Sequence, residues 1–311
     1  MDVRVTGQTQ SANAIANLRR QQSAVAKYQD QITSGVRIKV ASDDPSAYVA
    51  AAQTRRTSER NQTYQNTITS ATADLNSSVA ALIDGKSILT RAKQIASQAV
   101  DSTLDATENE ALASEVDTLI DGFLRDANTQ SESGHFFSGS NSTTPPFRIA
   151  STDANGRVGS IAYDGDSSRA KVLIGPNGQT AETKYVGSNV FQPPGGDSFA
   201  ALIGLRDTLR NNSLTSVDKA AAFTARIGEI ESASQRLSNT IGEQAGTLAS
   251  LDAISSHLID AKLTADSRLN DLESTDIVDA VLKLKEQEAA FQATVAVSSK
   301  LIPASLLDYI R

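Results

Sequence analysis

The stretch "LSNTIGEQAGTLASLDAISSHLIDAKLTADSRLNDL", residues 237–272, repeats apolar side chains at steps of three and four. One stripe of this repeat passes through Leu237, Ile241, Gln244, Leu248, Leu251, Ser255, Leu258, Lys262, Ala265, Leu269 and Leu272. Eight of these eleven positions are apolar over five heptads, and about three to four heptads are enough to indicate a coiled coil. The stretch therefore predicts a long helix that packs along another helix.

Apolar residues at helical spacing also occur in the first half of the chain and at both of its ends. In the first half the stripe contains Ile68, Leu75, Val79, Leu82 and Leu89, and it then shifts to Ile88, Ala92, Ile95 and Ala99. The terminal stripes contain Ile15, Leu18, Val25 and Ile32 at one end, and Ile277, Val281, Leu284, Phe291, Val295 and Ile302 at the other. A terminal stripe that the chain cannot bury by itself needs another helix as its partner.

Glycine and proline are concentrated in the middle of the chain. Ten of the 18 glycines and five of the seven prolines lie between Gly134 and Gly196. Short runs rich in strand-forming residues occur there, separated by turn sequences: "FRIAS" (147–151), "VGSIAYDGD" (158–166), "AKVLIG" (170–175) and "AETKYVG" (181–187). These runs predict a small sheet of three to five strands, with Phe147, Ile161, Tyr163, Val172, Ile174, Tyr185 and Phe191 as its core.

The pattern as a whole predicts a mainly α protein. Its N- and C-terminal arms form a long antiparallel helical rod or coiled-coil bundle, and a small β-rich domain is inserted between them. The expected domains are a terminal helical assembly domain (1–40 and 275–311), a helical rod domain (41–133 and 198–274) and the β-rich insert (134–197). The alternative is an ordinary helical bundle with breaks at Gly228, Gly242, Gly246 and around Asn270–Ser274.

Composition excludes several classes of protein. The net charge is −7 and like charges do not occur in long blocks, which argues against binding to nucleic acid. The chain has no cysteine, so disulfides and thiolate chemistry are excluded. We find no stretch of 18 apolar residues, so no membrane insertion is expected. The first 21 residues contain no apolar signal core, which predicts a cytoplasmic protein unless its export needs no such signal.

Two adjacent acids precede a proline in "VASDDPSAYVAAA", residues 40–52. A metal site or an acid–base pair is one interpretation, but neighbouring side chains on a helix point in different directions. The other interpretation is the start of a helix, where Ser42, Asp43 or Asp44 caps the first turn and Pro45 occupies it. We expect this second role.

Catalytic motifs are absent from the sequence. His135 lies in "SESGHFFSGSNS" without a nucleophile elbow, and we expect a loop histidine at the end of a helix. The chain has one other histidine, His257, and no phosphate-binding or zinc-binding pattern. The sequence therefore predicts no enzyme, no catalytic residue, no cofactor and no metal. A carboxylate-based hydrolase on a helical scaffold stays open as an alternative that would need acids converging in a pocket.

Both ends of the chain resemble one family. The runs "QDQITSGVRIKVASDDPSAYVAAAQTR" (29–55) and "LESTDIVDAVLKLKEQEAAFQATVAVSSKLIPASLLDYIR" (272–311) resemble the two terminal signatures of the bacterial flagellin superfamily. Within it, "SGHFFSGSNSTTPPF" (133–147), "YDGDSSRAKVLIGPNGQTAETKYVGSNVF" (163–191) and the ending "SLLDYIR" resemble the hook-associated protein 3 family. His135, where that family usually has Arg or Lys, and an extra Arg311 are departures.

The resemblance implies a structural part of the bacterial flagellum at the junction between hook and filament, with filament flagellin as the alternative. Implied partners are copies of the chain in a junction layer, hook-associated protein 1, flagellin and a flagellar export chaperone. Implied export is through the flagellar type III apparatus to the outside of the cell, without a cleaved signal peptide. We expect the assembly interface to contain Ile15, Leu18, Val25, Ile32, Ile277, Val281, Leu284, Phe291, Val295, Ile302, Leu306, Leu307 and Tyr309.

Overall fold

A computed structural model of the chain describes residues 2–101, 105–141 and 143–301. The α-helices in these ranges are α1 (Asp2–Ser34), α2 (Pro45–Asp101), α3 (Ala106–Ala127), α4 (Gly187–Phe191), α5 (Ser198–Arg210), α6 (Ser216–Glu273) and α7 (Ile277–Leu301). The strands are β1 (Gln130–Ser131), β2 (Gly134–His135), β3 (Phe147–Thr152), β4 (Val158–Tyr163), β5 (Ala170–Leu173) and β6 (Thr180–Lys184). The predicted order of long helices, a small β-rich segment and long helices is confirmed.

The C-terminal helical segment is interrupted once among the described residues. Helix α6 continues through Gly228, Gly242 and Gly246 and ends at Glu273. A glycine inside a helix costs up to ~1 kcal/mol relative to alanine, but packing along the helix can outweigh that cost. Helix α7 then starts afresh, because the Asp276 carboxylate accepts hydrogen bonds from the first backbone amides of α7 at 2.9 and 3.2 Å.

The chain divides into two compact units. Residues up to Arg60 and from Ala261 onward form one unit, which we call the terminal unit. Asn61–Asp260 form the other, which we call the central unit. The finer division into domains 1–40 with 275–311, 41–133 with 198–274, and 134–197 stays a prediction.

The heptad stripe of α6 is buried or half-buried at each of its positions. In the central unit Leu237, Leu251 and Leu258 are buried, and in the terminal unit Ala265 is buried. Gln244 interrupts the stripe, is fully buried, and donates from Nε2 to the buried Ser78 hydroxyl of α2 at 3.0 Å. A buried polar pair in an apolar seam favours one axial alignment of the two helices, because any shift leaves both groups unpaired.

Aromatic rings join the β-rich segment to the helices of the central unit. The Phe123 ring of α3 lies 5.5 Å from Phe191 and 5.1 Å from Phe199 of α5, measured between ring centroids. Phe147 of β3 lies 5.3 Å from Phe199. These rings meet mostly edge to face, the arrangement that aromatic quadrupoles favour. The β-rich segment therefore shares the helical core instead of forming a separate one.

The strands pair differently from the prediction. The described residues form three separate antiparallel pairs, β1 with β2, β3 with β4 and β5 with β6, instead of one sheet of three to five strands. Isolated hairpins are only marginally stable in water, so these need the helical core beneath them. The predicted core residues of the segment, from Phe147 to Phe191, are all buried or half-buried.

His135 is not in an open loop. It belongs to β2, is 7% exposed, and its Nδ1 lies 2.7 Å from the carbonyl oxygen of Asn128. The prediction of a loop histidine was wrong because the chain turns back after α3 and covers the ring. His257 is exposed on α6.

Two glycines allow α2 and α3 to approach closely in the central unit. A Cβ at Gly85 would lie 3.1 Å from the Phe123 ring, and a Cβ at Gly122 would lie 3.2 Å from Cδ1 of Ile88. Near this crossing, the Asp126 side-chain atom Oδ2 is buried without a hydrogen-bond partner. Burial, followed by repulsion from Asp84 of α2, raises the pKa of Asp126 to about 6.

We expect Asp126→Asn to stabilise the chain at pH 8 but not at pH 4. The raised pKa means that the folded chain favours the protonated form of Asp126. The free energy of unfolding therefore has its full contribution from this group below about pH 4 and falls as the pH rises through about 6, where the buried acid ionises. Thermal unfolding followed by circular dichroism at both pH values measures the difference. Asp121→Asn, at an exposed acid of the same helix, is the control and should leave both midpoints nearly unchanged. Equal effects of Asp126→Asn at the two pH values would contradict this prediction.

Candidate assembly interface

The first and last described helices pack against each other in the terminal unit. Of the predicted interface residues, Leu18, Val25, Ile32, Val281, Leu284 and Phe291 are half-buried. Ile15 is 46% exposed, Ile277 56% and Val295 42%. The chain therefore covers part of each predicted stripe and leaves the rest in contact with solvent. Ile302, Leu306, Leu307 and Tyr309 lie outside the described residues.

Helix α7 carries a second apolar stripe in addition to the predicted one. Val278 is 72% exposed, Leu282 59% and Val297 59%. Ala289 and Ala293 are exposed between them. These positions also follow helical spacing, so the sequence contains the signal, although the heptad pattern identifies only one of the two stripes. Exposed apolar residues along one side of a helix are typical of a surface that another molecule covers.

A short corner connects α1 to α2. Gly35 follows the last residue of α1 with a φ of 68°, the left-handed conformation that ends many helices, and its amide donates to the Gln31 carbonyl oxygen at 2.9 Å. Ile38 anchors the corner and is 2% exposed. The Gln31 side chain turns towards the corner and donates to the Arg37 carbonyl oxygen at 2.9 Å.

This corner is bonded to the break between α6 and α7. The Arg37 amide donates to the Glu273 carbonyl oxygen at 2.6 Å, and the Thr275 amide donates to the Gly35 carbonyl oxygen at 2.9 Å. Between these two bonds, Val36 and Ser274 form an antiparallel β-bridge. The carbonyl groups at the ends of α1 and α6 thus find partners that their own helices cannot supply.

The two adjacent acids have separate structural partners. Asp44 caps α2: its Oδ1 accepts hydrogen bonds from the Ala47 amide at 3.0 Å and from the Ser46 hydroxyl at 2.9 Å. Asp43 lies 2.7 Å from Nζ of Lys27 and also accepts from the amides that precede it in the corner, at 3.2 Å. Pro45 is the first residue of α2, and Ser42 is exposed.

The charge state of both acids follows from these contacts. The hydrogen bond from Lys27 is the main cause that lowers the pKa of Asp43. The hydrogen bond from the Ala47 amide is the main cause that lowers the pKa of Asp44. Because both pKa values are lowered, the stabilising contributions are present above about pH 4 and are lost as the pH falls further. Both acids act as ionised structural groups.

The described residues contain no group of three or more His, Cys, Asp or Glu side chains that could hold a metal ion. In the same ranges, no helix is long and apolar enough to cross a membrane.

The N-terminal half of the chain matches a known family. Residues 5–142 match the family described as the bacterial flagellin N-terminal helical region. This part of the chain is therefore similar to the N-terminal region of bacterial flagellins. The resemblance that the N-terminal motif indicated is therefore confirmed.

Two named relatives match this chain over most of its length. It is 26% identical over 280 residues to flagellar hook-associated protein 3 of Escherichia coli (strain K12), covering 86% of this chain and 87% of that protein. It is 23% identical over 321 residues to flagellar hook-associated protein 3 of Salmonella typhimurium, covering 99% of this chain and all of that protein. The similarity to the hook-associated protein 3 family is thus confirmed beyond the termini.

A solved structure shares the fold. The crystal structure of flagellar hook associated protein-3 from Legionella pneumophila superposes with a TM-score of 0.62 at 16% identity, covering 71% of this chain and 98% of that one. At this identity the likeness concerns the fold alone.

We expect Asp44→Ala to destabilise the terminal unit and Asp44→Asn to leave it nearly unchanged. Asparagine caps a helix about as well as aspartate, whereas alanine leaves the first amides of α2 without a side-chain acceptor. Urea unfolding followed by circular dichroism measures the shift in midpoint. Ser42→Ala is the matched control, because the Ser42 hydroxyl makes no hydrogen bond among the described residues. If Asp44→Asn lost as much as Asp44→Ala, charge and not capping would be the cause.

Proposed function

We propose that this chain is a structural component of the bacterial flagellum and forms the junction between the hook and the filament. The observation that carries the proposal is the match, over most or all of their length, to two relatives named flagellar hook-associated protein 3. In this proposal the chain is not an enzyme.

The apolar surface of the terminal unit supports a role in assembly. Val278, Leu282 and Ile277 are each more than half exposed at the start of α7. Burying apolar surface contributes roughly 25 cal/mol per Å², so several such side chains favour contact with another helix. The predicted interface residues from Ile15 to Tyr309 belong to the same proposal.

The proposed binding partners follow from a position between the hook and the filament. We propose that copies of the chain form a layer that contacts hook-associated protein 1 on one side and flagellin on the other. Before export the chain would be held by a flagellar export chaperone. It would then leave the cell through the flagellar type III apparatus, without a cleaved signal peptide, and remain outside the cell on the flagellum.

We also propose that the terminal ranges 1–40 and 275–311 become ordered as they pack with neighbouring copies. Among the described side chains of α1, only Ala14 and Gln31 are buried, and so little burial gives a helix little stability of its own. Amide hydrogen exchange on the isolated chain should therefore show fast exchange in α1 and α7 and slow exchange in the seam of the central unit. Strong protection of both terminal helices in the monomer would contradict this part of the proposal.

Deletion of the gene in the source bacterium tests the function. We expect loss of motility, with hooks still present and flagellin released into the medium, because filament subunits have no junction to attach to. Wild-type chain supplied in trans should restore swimming. If purified chain instead grew long filaments from flagellar seeds, the chain would be a filament flagellin.

A pair of matched valine variants tests the assembly surface in the same strain. Val278 and Val217 are each the second residue of a helix, α7 and α6, and they are 72% and 79% exposed. Glutamate is tolerated at such helix starts, so both variants should fold with wild-type circular dichroism. We expect Val278→Glu to fail to restore motility and Val217→Glu to restore it. Equal rescue by both would show that the α7 stripe is not part of the interface.

A further inference from the structure

The chain contains two asparagine–glycine pairs, and both lie in turns of the β-rich segment. Asn155–Gly156 is in the turn between β3 and β4, and Asn177–Gly178 is in the turn between β5 and β6. All four residues are exposed. An asparagine before a glycine can lose its side-chain amide without an enzyme, because glycine has no side chain that hinders attack by its own nitrogen. The two pairs have the same chemistry, so any difference between them comes from their turns.

The first turn is held together by Asp153. Its Oδ1 atom accepts hydrogen bonds from the amides of Asn155 at 2.8 Å and Arg157 at 2.9 Å, an arrangement that aspartate commonly provides in turns. The Gly156 amide donates to the Asp153 carbonyl oxygen at 3.0 Å. The hydrogen bond from the Arg157 amide is the main cause that lowers the pKa of Asp153. The Arg157 side chain also lies 3.3 Å from Glu110 of α3, so this turn is anchored to a helix as well.

The second turn has no such side chain. Gly175 stands two residues before Asn177, at the position that Asp153 has in the first turn, and it has no side chain that could accept a hydrogen bond. The backbone hydrogen bond across this turn runs from the Ile174 amide to the Gln179 carbonyl oxygen at 2.9 Å. Asn177 has a φ of 63°, in the left-handed region that few residues other than glycine adopt. Rotation of the Asn177 backbone therefore breaks no hydrogen bond to a carboxylate.

We propose that Asn177 is a site of spontaneous deamidation and that Asp153 protects Asn155 from the same reaction. Deamidation begins when the backbone nitrogen of the next residue reaches the side-chain carbonyl carbon of the asparagine, which requires rotation of the backbone between them. In the first turn that rotation breaks the hydrogen bonds to Asp153, which are strong because the acceptor is charged. In the second turn it breaks none of this kind. The reaction depends on the local backbone alone and does not rest on the proposed function.

The reaction needs only water and base from the solvent. The Gly178 nitrogen gives its proton to solvent base and attacks the side-chain carbonyl carbon of Asn177. The new carbon–nitrogen bond closes a succinimide ring, while the bond to the side-chain nitrogen breaks and ammonia leaves after taking up a proton from the solvent. Water then adds to either ring carbonyl carbon and breaks one carbon–nitrogen bond of the ring. The product is aspartate or isoaspartate, and nothing is oxidised or reduced.

Deamidation changes the turn between β5 and β6 in charge and in length. Either product adds a negative charge to the exposed turn. Isoaspartate also inserts a methylene group into the backbone between Ile174 and Gln179, whose hydrogen bond spans the turn. Ile174 is 3% exposed and belongs to the core of the central unit. A longer turn therefore weakens the anchoring of this hairpin, because the register of a hairpin depends on its loop length.

Peptide mapping of the purified full-length chain tests the proposal. The chain is incubated at pH 8 and 37 °C, digested with trypsin at intervals and analysed by mass spectrometry. Trypsin releases Asn155 in the peptide 149–157 and Asn177 in the peptide 172–184. We expect the Asn177 peptide to deamidate roughly tenfold faster than the Asn155 peptide, the factor that hydrogen bonds to a charged acceptor supply. In urea, where the turns are absent, the two peptides should deamidate at similar rates.

Two substitutions of Asp153 separate its hydrogen bonds from its charge. Asp153→Ala removes the acceptor and should raise the deamidation rate of Asn155 roughly tenfold. Asp153→Asn keeps an acceptor oxygen without the charge and should leave Asn155 nearly as slow as in the wild type. Circular dichroism checks that each variant folds, and the Asn177 peptide of the same sample is the internal standard.

The wild type in buffer and in urea decides the question even if a variant does not fold. Equal rates for the two asparagines in the folded wild type would overturn the proposal. So would a folded Asp153→Ala chain in which Asn155 reacts no faster than before.

Discussion

Two backbone hydrogen bonds hold the terminal unit together at one place: Arg37 to Glu273 and Thr275 to Gly35. These bonds join segments that are far apart in sequence. The Arg37 side chain adds a third bond to the same place by donating to the carbonyl oxygen of Leu272, 235 positions further along the chain. The α1–α2 corner and the α6–α7 break are both places where a helix leaves backbone groups without partners. By bonding to each other they satisfy those groups and set where α1 and α7 begin their contact. Asp43, Asp44 and Gly35 shape the corner so that this pairing can form.

The two units differ in how completely they bury their apolar residues. The central unit encloses Phe123, Phe147, Phe191 and Phe199, none more than 2% exposed. The buried apolar residues of the terminal unit are mostly alanines, with Ile38 as the large exception. A small core contributes little stabilisation through burial of apolar surface. The exposed apolar residues of α7 leave further apolar surface available for contact with another molecule. This difference in burial supports the proposal that the central unit is stable by itself and that the terminal unit gains stability by association.

The acidic residues of the two units differ in whether they have partners within the chain. The adjacent acids Asp43 and Asp44 look like a site in the sequence, yet each has its full set of partners within the terminal unit. Asp84 and Asp126 are far apart in sequence, yet Asp84 helps to raise the pKa of Asp126, near the place where two glycines allow α2 and α3 to approach closely. Buried polar groups without partners are costly, so the buried Oδ2 of Asp126 and Nε of Arg236 lower the stability of the central unit.

The sequence by itself determined the helical class, the position of the β-rich segment, the buried heptad stripe and the residue types around the α2 start. Those features depend on local periodicity, on proline and glycine positions and on capping chemistry, all of which act between residues close in sequence. Tertiary structure decided that the strands form separate hairpins on a shared aromatic core and that His135 is buried. It also decided that α7 packs one apolar stripe partly against α1 and leaves the other exposed. It also decided which acids lack partners. These outcomes depend on which distant segments meet, and neither the spacing of apolar residues nor the identity of a single side chain records that choice.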